Sequence, residues 1–176
     1  HQVAVEQGHS GTRFFQTELY QTQKSANALV TKAGYQPARY DFMMKRSVND
    51  PLPDAPMPPG LEVRPFREEQ LHAIWAAMVE AFKDHWGSVL ESEERFLSWK
   101  EEATYHPELW KVSWEGDQVA GMVLNFYNQA ENEEYKRLRG YTEGISVRHP
   151  WRKKGLARSL IVQSIRMFKE MGMAET

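Results

Sequence analysis

Residues 145–160, ISVRHPWRKKGLARSL, join a strand, a basic turn and the start of a helix. Apolar residues alternate up to Val147, whereas after Gly155 they recur at the three- and four-residue spacing of a helix. Five cations lie within eleven residues: Arg148, Arg152, Lys153, Lys154 and Arg158. This concentration of positive charge is a property of the turn alone, because the whole chain carries a formal net charge of −2.

The start of this predicted helix suits an anionic ligand. A helix that begins at Gly155 presents unpaired amide N–H groups and the positive end of its dipole. Glycine lets a ligand approach the backbone closely, and the small Ala157 leaves the first turn uncrowded. Helix starts of this kind bind phosphate, and nearby cations add charge-assisted hydrogen bonds. A basic run more often lies on a solvated surface, but the position between two buried elements favours an anion site.

Residues 152–157, RKKGLA, resemble the R/Q-x-x-G-x-G/A signature of the GCN5-related N-acetyltransferase (GNAT) superfamily. The strand GYTEGISV before them and the amphipathic helix after them stand where that family has them. The resemblance implies an α/β (α+β) fold with a mixed, mostly antiparallel sheet flanked by helices, and acetyl-CoA as the cofactor. It also implies a set of cofactor-binding residues: Ile145, Ser146 and Val147 beside the pantetheine arm, and Arg152, Lys153, Lys154, Gly155, Leu156 and Ala157 around the pyrophosphate. Pairing of the arm with the strand edge resembles the addition of a strand.

Glu143 lies on the predicted strand, two residues before Ile145. Acetyl transfer to an amine needs the neutral amine, and a positioned carboxylate can remove its proton. Members of the family often have a general base at this point, so the resemblance implies that role for Glu143. The alternative is a glutamate that points to solvent from an alternating strand. Gly144 beside it is typical of a β-bulge that opens the sheet.

The chain divides into three parts. Residues 47–60, SVNDPLPDAPMPPG, contain five prolines and predict an extended, stiff linker. Residues 61–176 predict the order β–α–α–β–β–β–α, with a hairpin within 110–127 and a helix start at Ser92. Residues 1–46 predict strand, helix and strand, with the strands at 14–20 and 39–46.

The order of these parts does not make one ordinary domain. Residues 1–46 resemble the C-terminal lobe of a GNAT domain, and residues 61–176 resemble the N-terminal lobe with its pyrophosphate turn. A fragment of a tandem protein is therefore predicted. We expect residues 1–46 to complete the sheet in permuted order, within one chain or by lobe exchange in a homodimer. Val30 occupies the place of the family's acid tyrosine, so the resemblance supplies no general acid here.

Composition narrows the function classes. Apolar residues make up 41% and charged residues 26%, and no apolar run is long enough to span a bilayer. The absence of cysteine excludes disulfides and a thiol nucleophile, and it fits a cytoplasmic protein. The histidines show no metal-ligand spacing, so no metal is predicted. A nucleic-acid partner is disfavoured, because the positive charge lies in one turn without interleaved aromatic residues.

The leading interpretation is an acetyl-CoA-dependent N-acetyltransferase acting on a small-molecule or peptide amine. Asp84, His85 and Trp86 lie between the first two helices of 61–176, a region that lines the acceptor site in the family. They are candidate substrate contacts, the alternative being a loop tryptophan packed on the core. A non-catalytic module that binds CoA or a protein partner is the second interpretation, which Val30 favours.

Overall fold

The computed structural model describes residues 15–85 and 92–176. The chain separates into two compact units, residues 1–43 and residues 44–176. Trp86 lies outside the described residues. No helix in the described part of the chain is long and apolar enough to cross a membrane.

The first unit contains one helix, α1 (Lys24–Lys32). Gly34 ends it with a φ of +90°, and the Tyr35 amide donates to the Val30 carbonyl at 3.0 Å. The strands expected at 14–20 and 39–46 are wrong where the chain is described, because residues 15–20 and 39–46 form no strand. A strand takes its backbone hydrogen bonds from a neighbouring strand, and alternation of apolar residues does not supply that neighbour.

The second unit contains a four-stranded antiparallel sheet in the order β1-β2-β3-β4. The strands are β1 (Glu62–Arg64), β2 (Lys111–Glu115), β3 (Gln118–Phe126) and β4 (Tyr141–Val147). The helices are α2 (Leu71–Ala81), α3 (Glu93–Lys100), α4 (Gln129–Glu134) and α5 (Leu156–Glu170). Short 3₁₀ turns occur at Glu68–Gln70, Pro107–Leu109 and His149–Trp151. This is the predicted order of elements, with α4 as an addition between β3 and β4.

Local sequence signals account for several of these boundaries. Ser92 caps α3, since its hydroxyl accepts a hydrogen bond from the Arg95 amide at 3.2 Å. Gly116 makes the β2–β3 turn with a φ of +56°. The short helix α4 was not expected from its polar sequence, yet Asn128 caps it by accepting from the Glu131 amide at 3.1 Å.

Among the described residues, two apolar clusters contain side chains of the sheet and pack them against the helices. Successive side chains of a strand point to opposite faces, and β3 follows this rule: Met122 and Leu124 join one cluster and Val123 joins the other. The first cluster contains the aromatic residues Trp75, Phe96, Trp110 and Trp114, with Trp99 stacked on Trp110 at 5.1 Å between ring centroids. The second cluster includes Trp151, Leu156 and Leu160 and thereby anchors the start of α5.

Residues 44–60 belong to the second unit, although the prolines of residues 47–60 predict a separate linker. Val48 is only 2% exposed and packs with Ile165 and Phe168 of α5. Met57 packs against the cluster at the start of the same helix. The segment is extended as expected but covers α5, because apolar residues stand between its prolines. Completion of the sheet by the rest of residues 1–46 stays a prediction.

Candidate functional site

A pocket of about 530 Å³ lies between the C-terminal end of α2, strand β4 and the turn that leads into α5. The structure brings most of the predicted site residues to its wall: Asp84, His85, Ile145, Ser146, Val147, Arg152, Lys153, Gly155, Leu156 and Ala157. Lys154 is exposed in the same turn, and Glu143 lies on β4 two residues before Ile145. The predicted cofactor residues thus surround one cavity.

Strand β4 carries the predicted bulge. Met122 of β3 faces Ser146, and Leu124 faces Glu143, so two residues of β4 oppose one residue of β3. Gly144 has a φ of +55°, and a Cβ atom there would lie 2.9 Å from Leu124 Cδ1. Glycine is therefore required by both backbone angle and space.

The other side of β4 is open along its second half. Within the described residues, β4 has β3 as its one neighbouring strand, apart from a parallel bridge between Arg139 and Glu175 before its start. Ile145 is 40% exposed and lines the pocket beside this edge. An open edge offers N–H and C=O groups that an extended ligand can pair with.

Six consecutive amide groups, those of residues 153–158, have no acceptor among the described residues. The helical ladder begins after them, with Ser159 N–H donating to the Gly155 carbonyl at 3.1 Å. Lys153 and Gly155 both have positive φ angles, +63° and +87°, which turn the backbone sharply at this point. Among the described residues, apart from Gly155 and its two chain neighbours, no heavy atom lies within 4 Å of the place where a Gly155 Cβ would stand. Unpaired donors at an open helix start form a site for an anion.

The cations of the turn divide into two groups. Arg152 uses all three of its nitrogens within the protein: Nε donates to the Val147 carbonyl at 2.8 Å, and the two Nη atoms donate to Asp84 and to the Ala81 carbonyl at 3.1 Å each. The side chains of Lys153, Lys154 and Arg158 form no ion pair with any described residue. These three cations are the ones available to a ligand in the pocket.

Glu143 has no hydrogen-bond partner among the described residues. Its side chain keeps an exposed surface, yet surrounding protein atoms partly desolvate the carboxylate and raise its pKa above the ordinary value of 4.5. A carboxylate with a raised pKa is a stronger base, which suits removal of a proton from an ammonium group.

The family follows from comparison with known proteins. The model of the acetyltransferase (GNAT) family matches residues 72–176, which include the bulged strand and the amide-rich turn. The chain belongs to the GNAT acetyltransferase family.

Three acetyltransferases from other organisms are similar to this chain. A mycothiol acetyltransferase from Salinispora arenicola (strain CNS-205) is 37% identical over 62 residues, which are 35% of this chain and 20% of the relative. A GCN5-related N-acetyltransferase from Sphaerobacter thermophilus is 26% identical with a TM-score of 0.68, covering 88% of this chain and 46% of its own. The PaiA N-acetyltransferase of Thermoplasma acidophilum, solved in complex with coenzyme A, is 16% identical with a TM-score of 0.45, over 64% of this chain and 74% of its own. The chain spans a fifth of the curated relative and less than half of the Sphaerobacter protein.

Two residues of this GNAT site, Glu80 and His149, were not singled out from the sequence. Glu80 binds Arg148 at 2.8 Å, and His149 binds Asp84 at 2.8 Å. Hydrogen bonds from Arg152 and His149 lower the pKa of Asp84, and the hydrogen bond from Arg148 lowers that of Glu80. One signal could have found Glu80: an acid at the C-terminal end of a helix faces the negative end of its dipole and therefore needs a cationic partner.

Proposed function

We propose that this GNAT protein is an acetyl-CoA-dependent N-acetyltransferase that acylates a small-molecule or peptide amine. The row of unpaired amides at residues 153–158 carries this proposal, because it lies in a pocket beside an open strand edge. A diphosphate fits these donors: its oxygens accept several hydrogen bonds, and Lys153, Lys154 and Arg158 offset its charge. Membership in an acetyltransferase family supports the same reaction class.

In this proposal, residues of the chain have separate roles in cofactor binding, proton removal and contact with the acceptor. The amides of the turn bind the diphosphate, and the open edge at Ile145 and Val147 pairs with the pantetheine arm. When bound, acetyl-CoA supplies an acetyl group activated as a thioester. Glu143 would accept a proton from the acceptor ammonium, which frees the nitrogen lone pair to form the amide bond while the thioester C–S bond breaks and coenzyme A leaves as the thiol. His85 lines the pocket, and in this proposal it contacts the acceptor.

A second candidate is a non-catalytic module that binds coenzyme A or a partner protein. One observation favours it: the described wall of the pocket contains no tyrosine that could protonate a departing thiolate. In this case the turn binds the cofactor but no acetyl group is transferred.

The decisive experiment is thermal unfolding of the chain with and without acetyl-CoA. Binding to the folded state alone stabilises it by about 2.7 kcal/mol at a ligand concentration of 100 Kd. Gly155→Glu should abolish the rise in melting temperature, because it adds a like charge and a side chain at the diphosphate site. Gly116→Glu is the matched control: this hairpin glycine also has a positive φ and open surroundings but is not among the residues that line the pocket.

Transfer is tested separately by thiol release from acetyl-CoA with a panel of amines. Release that depends on an amine supports the enzyme, whereas a thermal shift without release supports the binding module. A folded chain that shows no shift with acetyl-CoA would overturn both readings of the turn.

A further inference from the structure

Two sets of ion pairs join the C-terminal end of α2 to the turn between β4 and α5. Arg148 donates from Nε to the Glu80 carboxylate at 2.9 Å and from Nη1 to the Val119 carbonyl at 3.0 Å. The Asp84 carboxylate accepts from both sides, from His149 at 2.8 Å and from Arg152 at 3.1 Å. We call Asp84 and Arg152, with the Ala81 and Val147 carbonyls that Arg152 also binds, the α2 clamp.

The α2 clamp holds the turn through Arg152, the residue immediately before the unpaired amides. Arg152 is followed directly by Lys153, whose φ of +63° is unusual for a residue other than glycine. Such backbone angles persist only when the surrounding structure holds them in place. Arg152 is bound to β4 through Val147 and to α2 through Ala81, so it supplies that restraint from two elements at once.

We propose that Arg152 and Asp84 are positioning residues for the diphosphate site, and that Arg152 does not itself bind phosphate. Arg152 fixes the turn against α2, and Asp84 neutralises and orients its guanidinium, so that the amides of residues 153–158 converge on one anion before the ligand arrives. This inference rests on the proposed binding of acetyl-CoA and deepens it. The direct cationic contacts are then assigned to Lys153, Lys154 and Arg158.

The geometry opposes direct phosphate contact by Arg152. Turning the guanidinium to a ligand would break three hydrogen bonds, two of them to partly buried backbone carbonyls. The planar fork of arginine meets these three acceptors together, which a lysine ammonium cannot do. Lysine at position 152 would therefore keep the positive charge but would not restrain the turn as arginine does. This difference makes the positioning role of Arg152 testable.

The test is calorimetric titration of the full chain with coenzyme A at several salt concentrations. Arg152→Lys should weaken binding about tenfold and Asp84→Asn about threefold, since a less organised site has to be ordered by the ligand. The double variant should be no weaker than Arg152→Lys alone, because residues that act as one unit are not additive. Arg67→Lys is the matched control, an exposed arginine that is paired with Glu69 at 3.7 Å and is not among the residues that line the pocket.

Salt dependence distinguishes positioning from contact. Salt screens the attraction between a cation and a phosphate that it contacts directly. Lys154→Ala removes one such attraction, so affinity should depend less on salt concentration in this variant. Arg152→Lys and Asp84→Asn should weaken binding while leaving that dependence as in the wild-type chain.

Three results would overturn the inference. They are a flattened salt dependence in Arg152→Lys, additive losses in the double variant, and wild-type affinity in a folded Asp84→Asn chain. The last remains decisive even where Arg152→Lys does not fold, because the Asp84 side chain is exposed and tolerates an isosteric change. Failure of the proposed function looks different: the folded wild-type chain would not bind coenzyme A at all.

Discussion

Arg46 and Thr176 exchange two backbone hydrogen bonds, 2.8 Å from Arg46 N to Thr176 O and 3.0 Å from Thr176 N to Arg46 O. This is the pattern of a hydrogen-bonded antiparallel pair. Val48 continues the contact, with its amide donating to the Ala174 carbonyl at 3.1 Å. The segment 44–60 is therefore tied to the last described residues of its unit and is part of the fold that supports α5.

Val48→Ala should destabilise the second unit by about 1–3 kcal/mol, because it removes two methyl groups from a packed cluster with Ile165 and Phe168. Urea unfolding followed by tryptophan fluorescence measures this loss. Met44→Ala is the control in the same segment: Met44 is 87% exposed and its removal should change stability by less than about 0.5 kcal/mol. Equal effects of the two substitutions would mean that the segment is not part of the core.

Short-range signals in the sequence predicted the elements that a few neighbouring residues determine. The cap at Ser92, the hairpin turn at Gly116, the bulge at Gly144 and the helix start at Gly155 each depend on local backbone chemistry, and all are observed. The packing of residues 44–60 on α5 depends on residues far away in the chain. Prolines indicate an extended backbone, but they do not indicate what that backbone covers.

The contrast between local signals and long-range contacts also explains which parts of the site could be predicted. Residues 152–157 form a contiguous motif, so the amide-rich turn could be predicted from the resemblance. The partners of the cations could not, since Asp84 and Glu80 reach Arg152 and Arg148 across 68 positions of the chain in each case. The strands expected at 14–20 and 39–46 are not formed by the described residues 15–20 and 39–46, for a related reason: apolar alternation is local, whereas a paired neighbour is not.

Glu175→Gln should destabilise the second unit by about 1–2 kcal/mol at neutral pH, a value discounted for partial solvent access. Glu175 accepts from Arg139 Nε at 2.7 Å, and Arg139 is only 9% exposed, so the substitution leaves a buried cation without its counter-ion. The measurement is the free energy of unfolding in urea. Glu69→Gln, in the exposed pair with Arg67, should change it by less than about 0.5 kcal/mol.

The pH dependence of this effect has a definite sign. The hydrogen bond from Arg139 lowers the pKa of Glu175 below the ordinary 4.5, so the charged carboxylate stabilises the folded state above that pH. This stabilisation is lost as pH falls through the lowered folded-state pKa. The difference between the wild-type chain and Glu175→Gln should shrink in that acidic range, and a difference independent of pH would contradict the role of the ion pair.

Gly140→Ala should also destabilise the second unit, by about 1–3 kcal/mol, through overpacking. A Cβ on Gly140 would overlap the ring of Phe168, a fully buried residue of α5. Thermal unfolding measures the loss, and Phe168→Leu in the same chain should recover part of it by making room. Gly116→Ala tests the effect of adding a methyl group in open space, where the cost is limited to the positive φ angle. Lack of any rescue by Phe168→Leu would show that overlap with the ring is not the cause.

Glu143→Gln should lower the rate of acetyl transfer about 100-fold or more, while leaving the affinity for coenzyme A unchanged. The amide keeps the shape of the side chain but cannot accept the amine proton. In the wild-type chain, partial desolvation raises the pKa of Glu143, so the rate should fall at acidic pH already above the ordinary 4.5. Thiol release measured across pH checks both points. A variant that retains the wild-type rate, or the same acidic fall in rate, would remove Glu143 from the chemistry.

The same substitution should make the folded chain more stable at neutral pH. Because the folded-state pKa of Glu143 is raised, the folded chain favours the neutral carboxyl, and stability is lost as pH rises through that pKa and the carboxylate forms. Glutamine never ionises, so Glu143→Gln avoids this loss. We expect the variant to gain stability relative to the wild-type chain between about pH 4 and pH 7, as is common where function requires an unfavourable group. The measurement is the free energy of unfolding in urea for the variant and the wild-type chain, at both ends of this pH range. The difference between the two chains should be larger at the higher pH. A difference that is equal at both pH values would show that the charge of Glu143 is not its source.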